Sequence, residues 1–327
     1  MKSKICSSEY VRTVSRGKSW IPAFLSLGFF LAFPVALLLV VGNWKAARYT
    51  PDQLHLLYEG LWKEKLVFTG GAITIVAAIM NSINGFSYVY SRKKVDFYHS
   101  LPVKRSRMFW NRVYTGLLYY LVPYMIMEFF AVCIGAAKGF FSLKLMELAA
   151  RLLLVHLLLY FLFYFSIVLV FCVTGNFLMG VLCLAGMQLY GPALGILMSF
   201  CAYGFFDTFS SNYPYGIFKA LEDYASPITL TAAFWQKYEA GQGAALAAVL
   251  FVLTLIFTAV SYFAYIHRPS EAAGKPMVYG KLAAVIKFMV VVPCGMGTGF
   301  VFYLIPTSHA RNIWCVFGMI LGTVLAH

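Results

Sequence analysis

The sequence is poor in charge. Asp, Glu, Lys and Arg make up 12% of its 327 residues and apolar types 61%, against about 25% charged in an average soluble protein. A soluble fold has too little interior to hide that much apolar surface, whereas a bilayer core is crossed by helices of about 20 apolar residues. Catalytic signatures are missing too: there is no HExxH, no GxSxG and no soluble catalytic domain. Gly17-Lys18-Ser19 matches only the end of a phosphate loop. Arg12 stands where the earlier glycine is required, and an apolar run follows. The chain is therefore expected not to be an enzyme and to hold no cofactor. Cys6, Cys133, Cys172, Cys183, Cys201, Cys294 and Cys315 form no CxxC pair and mostly lie in apolar runs. There Cys acts as a small hydrophobe, which argues against a disulfide framework and a metal site. No internal repeat and no low-complexity segment occurs, and the apolar runs carry no acid pair or Ser/His arrangement suited to an intramembrane protease.

The net charge of +14 invites a nucleic-acid reading, but position decides against it. The basic residues sit in short segments between apolar runs, the positive-inside pattern of a membrane protein. Residues 1–19 carry Lys2, Lys4, Arg12, Arg16 and Lys18 against Glu9. The run Trp20–Val41 that follows is too long for a signal-peptide core, so it reads as a retained first span with a cytoplasmic N-terminus. Segment 1–19 is expected to be amphipathic, with Ile5, Val11, Val14 and Trp20 on the inner membrane surface.

The expected fold is all-α: a polytopic transmembrane helical bundle of about eight spans. Gly42–Lys65 is read as an outer loop, and Leu66–Tyr90 as a second span with Asn81, Ser82, Asn84 and Ser87 in its inner half. The most basic stretch, 91–112, is read as cytoplasmic. Spans three to five are expected near Val113–Ala137, Leu152–Thr174 and Phe177–Phe206, the last broken or kinked at Gly191-Pro192. An outer segment, 207–243, reads as a loop or as short helices dipping into the outer leaflet. A sixth span, Ala244–Ile266, completes a core over 20–266. Residues 267–327 are read as a cytoplasmic loop, a seventh span near Leu282–Ile305 and a short eighth, Asn312–Ala326. At about 15 residues the eighth is below the usual span length, which points to truncation of a longer protein.

Two loops carry the most information. Residues 96–105 read Asp-Phe-Tyr-His-Ser-Leu-Pro-Val-Lys-Arg, and 267–275 read His-Arg-Pro-Ser-Glu-Ala-Ala-Gly-Lys. In the first, an amphipathic helix is expected to end near His99. Ser100 would cap the next helix and Pro102 occupy its first turn. Physics alone leaves two uses open, a basic loop lying on anionic lipid and a docking surface. The Tyr-His-Ser-Leu-Pro-x-x-Arg run resembles the cytoplasmic loop of bacterial type-2 ABC exporter permeases of the Gram-positive kind. The second loop resembles the Arg-Pro-Ser-Glu-x-x-Gly-Lys segment after their sixth span.

The resemblance implies the membrane subunit of an ATP-driven exporter in a bacterial cytoplasmic membrane. It implies two six-helix permease subunits, identical or paralogous, driven by separate ABC ATPase subunits that hold ATP and Mg. The 91–112 loop would be the coupling helix, touching the ATPase through Val95, Phe97, Tyr98, His99, Leu101, Pro102 and Arg105, and 207–243 would cap the pathway. The two extra spans depart from the family pattern. Asn81, Asn84, Glu128 and His156 are candidate pathway-lining residues, since polar groups in spans normally face other helices or a wet cavity. The bland alternative is a protonated Glu128 bonded to a neighbouring helix, with His156 at the interface. Two other function classes compete: an ion-gradient-driven transporter using Glu128 and the Gly191-Pro192 region, and a non-transporting scaffold or sensor.

Overall fold

The computed structural model describes residues 20–44, 50–206, 216–305 and 311–327. The amphipathic segment expected over 1–19, the Gly17-Lys18-Ser19 triplet and the first part of the 207–243 segment lie outside the described residues.

Among the described residues the chain is helical, apart from an isolated bridge between Thr174 and Met277. The elements are α1 Trp20–Phe30, a π-helical turn Leu31–Val35, α2 Ala36–Trp44, α3 Pro51–Lys63 and α4 Lys65–Phe86. A 3-10 turn Ser87–Tyr90 precedes α5 Arg92–Ser100, α6 Arg105–Ala137, α7 Leu143–Val173 and α8 Phe177–Phe205. Then follow α9 Ile217–Tyr224, α10 Pro227–Glu239, α11 Ala244–His267, a 3-10 turn Ser270–Ala272, α12 Gly280–Leu304 and α13 Arg311–Ala326. Seven helical stretches among these residues are long and apolar enough to cross a membrane, and α13, with 16 residues, is apolar but shorter. Large apolar side chains such as Phe129, Leu154 and Phe288 lie bare on the helix faces, which suits lipid and not water. The chain is a multi-pass helical membrane protein.

Local chemistry explains several boundaries. Pro34 has no N–H and its ring crowds the preceding turn. The helix widens there, and the Ala36 N–H reaches back five residues to the Leu31 carbonyl. Helix α3 lies inside the stretch expected to be an outer loop. It starts with a capping box, the Thr50 hydroxyl accepting from the Gln53 N–H and the Gln53 amide oxygen from the Thr50 N–H, with Pro51 in the first turn. Asn176 caps α8 by accepting from the Leu178 N–H at 3.0 Å.

The chain packs as two compact units. One comprises the chain up to Cys172 together with Lys237–Gly274, the other Val173–Gln236 with Lys275–His327.

In the second unit α8 is not broken at Gly191-Pro192. Instead Gly191 and Gly195 make a seat for α9: a Cβ on Gly191 would come 2.5 Å from the Ala225 Cβ, and one on Gly195 2.8 Å from the Phe218 carbonyl oxygen. Helices α12 and α13 form a close pair in which Gly295 and Gly299 of one face Thr323 and Met319, Gly318 and Gly322 of the other face Phe302 and Thr298, and the Thr298 hydroxyl donates to the Gly318 carbonyl at 2.8 Å. The α7–α8 turn is tied to 276–278 by the Val278 N–H on the Val173 carbonyl.

Candidate functional site

The first unit joins the two informative loops at one end of its helices. Helix α5 turns Val95 inward, 3% exposed, while Phe97 stays 54% exposed beside exposed Lys93, Lys94 and Asp96. Tyr98, Leu101 and Val103, half-buried, pack on buried Met108. The Tyr98 ring meets Tyr88 edge-on at 4.9 Å, and the buried Arg112 guanidinium lies 3.9 Å from the Tyr88 ring centre and 4.5 Å from that of Tyr98. Arg112 also donates to the Gly85 carbonyl of α4.

Two details differ from expectation. Ser100 does not cap α6; its hydroxyl donates back to the Phe97 carbonyl at 2.8 Å and closes α5. Helix α6 begins at Arg105 after Lys104, which gives no side-chain cap, so Pro102 sits in the connecting bend and not in a first turn. A serine can bond forward or backward along the chain, and here the backward bond wins.

Arginines fasten the second loop to the first. Arg105 donates to the Ile266 and Arg268 carbonyls at the end of α11, at 3.1 and 2.8 Å. Arg268, 5% exposed, donates to the Phe171 and Cys172 carbonyls at 2.8 and 2.7 Å and to the Val89 carbonyl at 3.2 Å. Phe171 and Cys172 lie in the last turn of α7, where carbonyls lack intrahelical partners. Arg92 donates to the Ala273 carbonyl at 3.0 Å, close to Gly274, whose φ of +89° favours glycine. His99 is half-buried with a buried Nδ1 that has no hydrogen-bond partner among the described residues. Burial, and then the Arg105 charge, pushes its imidazole below the usual range.

The candidate coupling residues therefore part into three groups. Phe97 and Pro102 are open to a partner. Val95 and Arg105 are engaged within the chain, while Tyr98, His99 and Leu101 are half-buried between the two. Arg92, Arg112 and Arg268, which reading the sequence did not single out, lock the block together. The hint was present: Arg112 stands where a span begins, and an arginine drawn into apolar surroundings there needs acceptors.

The candidate lining residues lie among α4, α6 and α7. Asn81 donates to the Gly116 carbonyl at 3.1 Å and to the Tyr160 hydroxyl at 3.3 Å; Asn84 is half-buried. His156, 0% exposed, bonds the Val67 carbonyl through Nε2 at 3.0 Å and the Tyr124 hydroxyl through Nδ1 at 2.9 Å. A carbonyl only accepts, so Nε2 carries the proton, and in a neutral ring Nδ1 accepts from Tyr124. Both nitrogens are thus used by Val67 and Tyr124, and His156 pins α7 to α4 and α6 without bonding Glu128. The Thr74 and Tyr120 hydroxyls bond at 3.2 Å. Beside this column α6, α7 and α11 leave an apolar groove of about 730 Å³ lined by residues including Trp110, Tyr114, Leu158, Phe161 and Phe251.

No family model, curated protein or solved structure matches this chain. The chemistry available follows from the geometry. The α5 end offers a single bare aromatic among lysines on a braced helix, suited to insertion into an apolar pocket with an acidic rim. Among the described residues no group of three or more His, Cys, Asp or Glu is arranged to hold a metal ion.

Proposed function

We propose that the chain is the membrane-spanning permease subunit of an ATP-driven exporter in a bacterial cytoplasmic membrane, with its N-terminus in the cytoplasm. In this reading α1 to α11 hold the six-span core, and α12 and α13 are the seventh and eighth spans. A second permease subunit completes the pathway, and separate ATPase subunits bind ATP and Mg.

The observation that supports the reading best is the braced α5. Arg92, Arg105 and Arg268 tie it and the second loop to the ends of α7 and α11, so a push on α5 reaches several spans at once. Force passes through such packed, hydrogen-bonded blocks as rigid-body motion. Phe97 is the anchor, with Lys93 and Lys94 setting charge complementarity. The apolar groove on α6, α7 and α11 suits an amphiphilic substrate drawn from the membrane.

The test is purification in mild detergent from the native membrane, with any bound ABC ATPase identified by mass spectrometry. Wild type should retain the ATPase and Phe97→Asp should lose it while remaining folded; Tyr98 and Leu101 are poor targets, since charge there would break packing on Met108. Absence of any ATPase from the wild-type preparation refutes the proposal, and retention by Phe97→Asp refutes the docking role of Phe97.

A further inference from the structure

Among the described residues, Glu128 is the buried acid of the first unit. Asn81, Thr74, Tyr120, Tyr124 and His156 all have hydrogen-bond partners there. Glu128 lies one turn beyond Tyr124 on the buried face of α6, is 6% exposed, and its Oε1 has no hydrogen-bond partner among the described residues. It makes no ion pair among the described residues.

The charges nearest its level on the packed helices turn outward: Lys63, Glu64 and Lys65 of the α3–α4 stretch and Arg151 of α7 are exposed, and Arg151 pairs with Glu147. Helix α1, the π-helical turn and α2 contain no titratable side chain, and α4 has Lys65 at its start. Helix α6 presents Tyr120 and Tyr124 on the same face, and α7 presents His156 with both ring nitrogens engaged. Helix α3 carries Asp52, His55, Tyr58, Glu59 and Lys63, with Glu59 paired to Lys144. The titratable groups of α11, Tyr262, Tyr265 and His267, lie at the end that meets Arg105. The α3–α4 stretch runs antiparallel to α6, with Thr74 at Tyr120 and Tyr58 at Gly135. That register sets Trp62–Leu66 level with Glu128. The Tyr58 hydroxyl and Trp62 indole nitrogen, one turn apart on the facing helix, are likewise buried.

We propose that Glu128 is a proton-binding site, its carboxyl held as the neutral acid while α3–α4 packs against α6 and giving up its proton when those helices part. An ionised carboxylate inside a span with neither cation nor donor on it is costly, several kcal/mol by most scales. The neutral acid escapes that cost. Separation of the helices admits water, which takes the proton, and repacking takes one up again. Proton exchange is thereby linked to the helix motion. The proposal does not depend on an ATPase partner.

The test uses the full chain in lipid nanodiscs. Infrared difference spectra between wild type and Glu128→Gln at pH 7 should contain the C=O stretch of a neutral carboxylic acid, lost in the variant. Dicyclohexylcarbodiimide provides a reading on wild type alone. The acid O–H adds across one N=C bond, the proton going to nitrogen and the oxygen to the central carbon, and the adduct rearranges to a stable N-acylurea with no leaving group. Peptide mass spectrometry should find that adduct on Glu128 and not on exposed Glu147. A carboxylate band from Glu128 at pH 7 overturns the proposal. So does loss of the neutral band on adding sodium at constant pH, which would make the site one for a metal cation.

Discussion

Replacing Arg268 by Met removes the guanidinium that closes the end of α7 and should destabilise the first unit by about 3 kcal/mol. Methionine keeps much of the apolar stem, so packing changes little. What is lost are the charged hydrogen bonds to the Phe171, Cys172 and Val89 carbonyls, each worth roughly 1.5–3 kcal/mol. Part of that is returned because no charge need be buried any longer. Three such bonds minus that return leave about 3 kcal/mol, on the order of a hundredfold in the unfolding equilibrium. Arg268→Lys keeps the charge, but one ammonium cannot span acceptors on α7 and beside Val89. Its loss should fall midway, at about 1–2 kcal/mol. The assay is denaturant unfolding in mixed micelles, with hydrogen exchange over 91–104 to see α5 loosen as its brace fails. The order wild type, Lys, Met is required. A Met variant within about 0.5 kcal/mol of wild type, with unchanged exchange over 91–104, would show that these bonds do not hold the block together.

Gly70→Ala places a methyl 2.5 Å from the His156 Cε1 and 2.8 Å from the Phe33 ring; both neighbours are buried, so the overpacking should cost roughly 1–3 kcal/mol in the same unfolding assay. Gly60→Ala in α3, where an added Cβ meets nothing within 4 Å, should instead be neutral or stabilising by up to about 1 kcal/mol. The His99 imidazole is pushed below its ordinary value of 6.5 by burial and by Arg105, so an unfolded loop binds a proton at higher pH than the folded one. The stability this contributes to the 91–104 loop is present above pH 6.5 and lost as pH falls from there through the lowered value. Hydrogen exchange in that loop should therefore quicken between pH 7 and 5, and His99→Gln should flatten the dependence.

The long apolar helices were legible because such runs have one stable arrangement in a bilayer; the helical stretches contain the expected runs, although those starting at Pro51, Arg105 and Leu143 begin well before them. The helix end near His99 was inferred from Ser100 as a cap and Pro102 in a following first turn; α5 does close at Ser100, but through the bond of Ser100 back to Phe97. Helix α3 was missed although Thr50-Pro51-Asp52-Gln53 spells a capping box. Its mixed charge read as loop because its buried face, Tyr58, Leu61 and Trp62, is narrow. Gly191-Pro192 looked like a break. A proline within a helix is tolerated when neighbours compensate, and the nearby glycines instead admit α9.

By itself the sequence determined that this is a helical, multi-pass membrane protein with one strongly basic connecting segment, because hydrophobic length and charge asymmetry are local, additive properties. Only the tertiary structure decided which side chains face outward. Val95 and Phe97 are two residues apart, yet one is enclosed and the other bare, and Arg105 and Arg268 meet across 163 positions. A guanidinium drawn into apolar surroundings must find acceptors, and the carbonyls that supply them come from helix ends far apart in the chain, which no local pattern encodes.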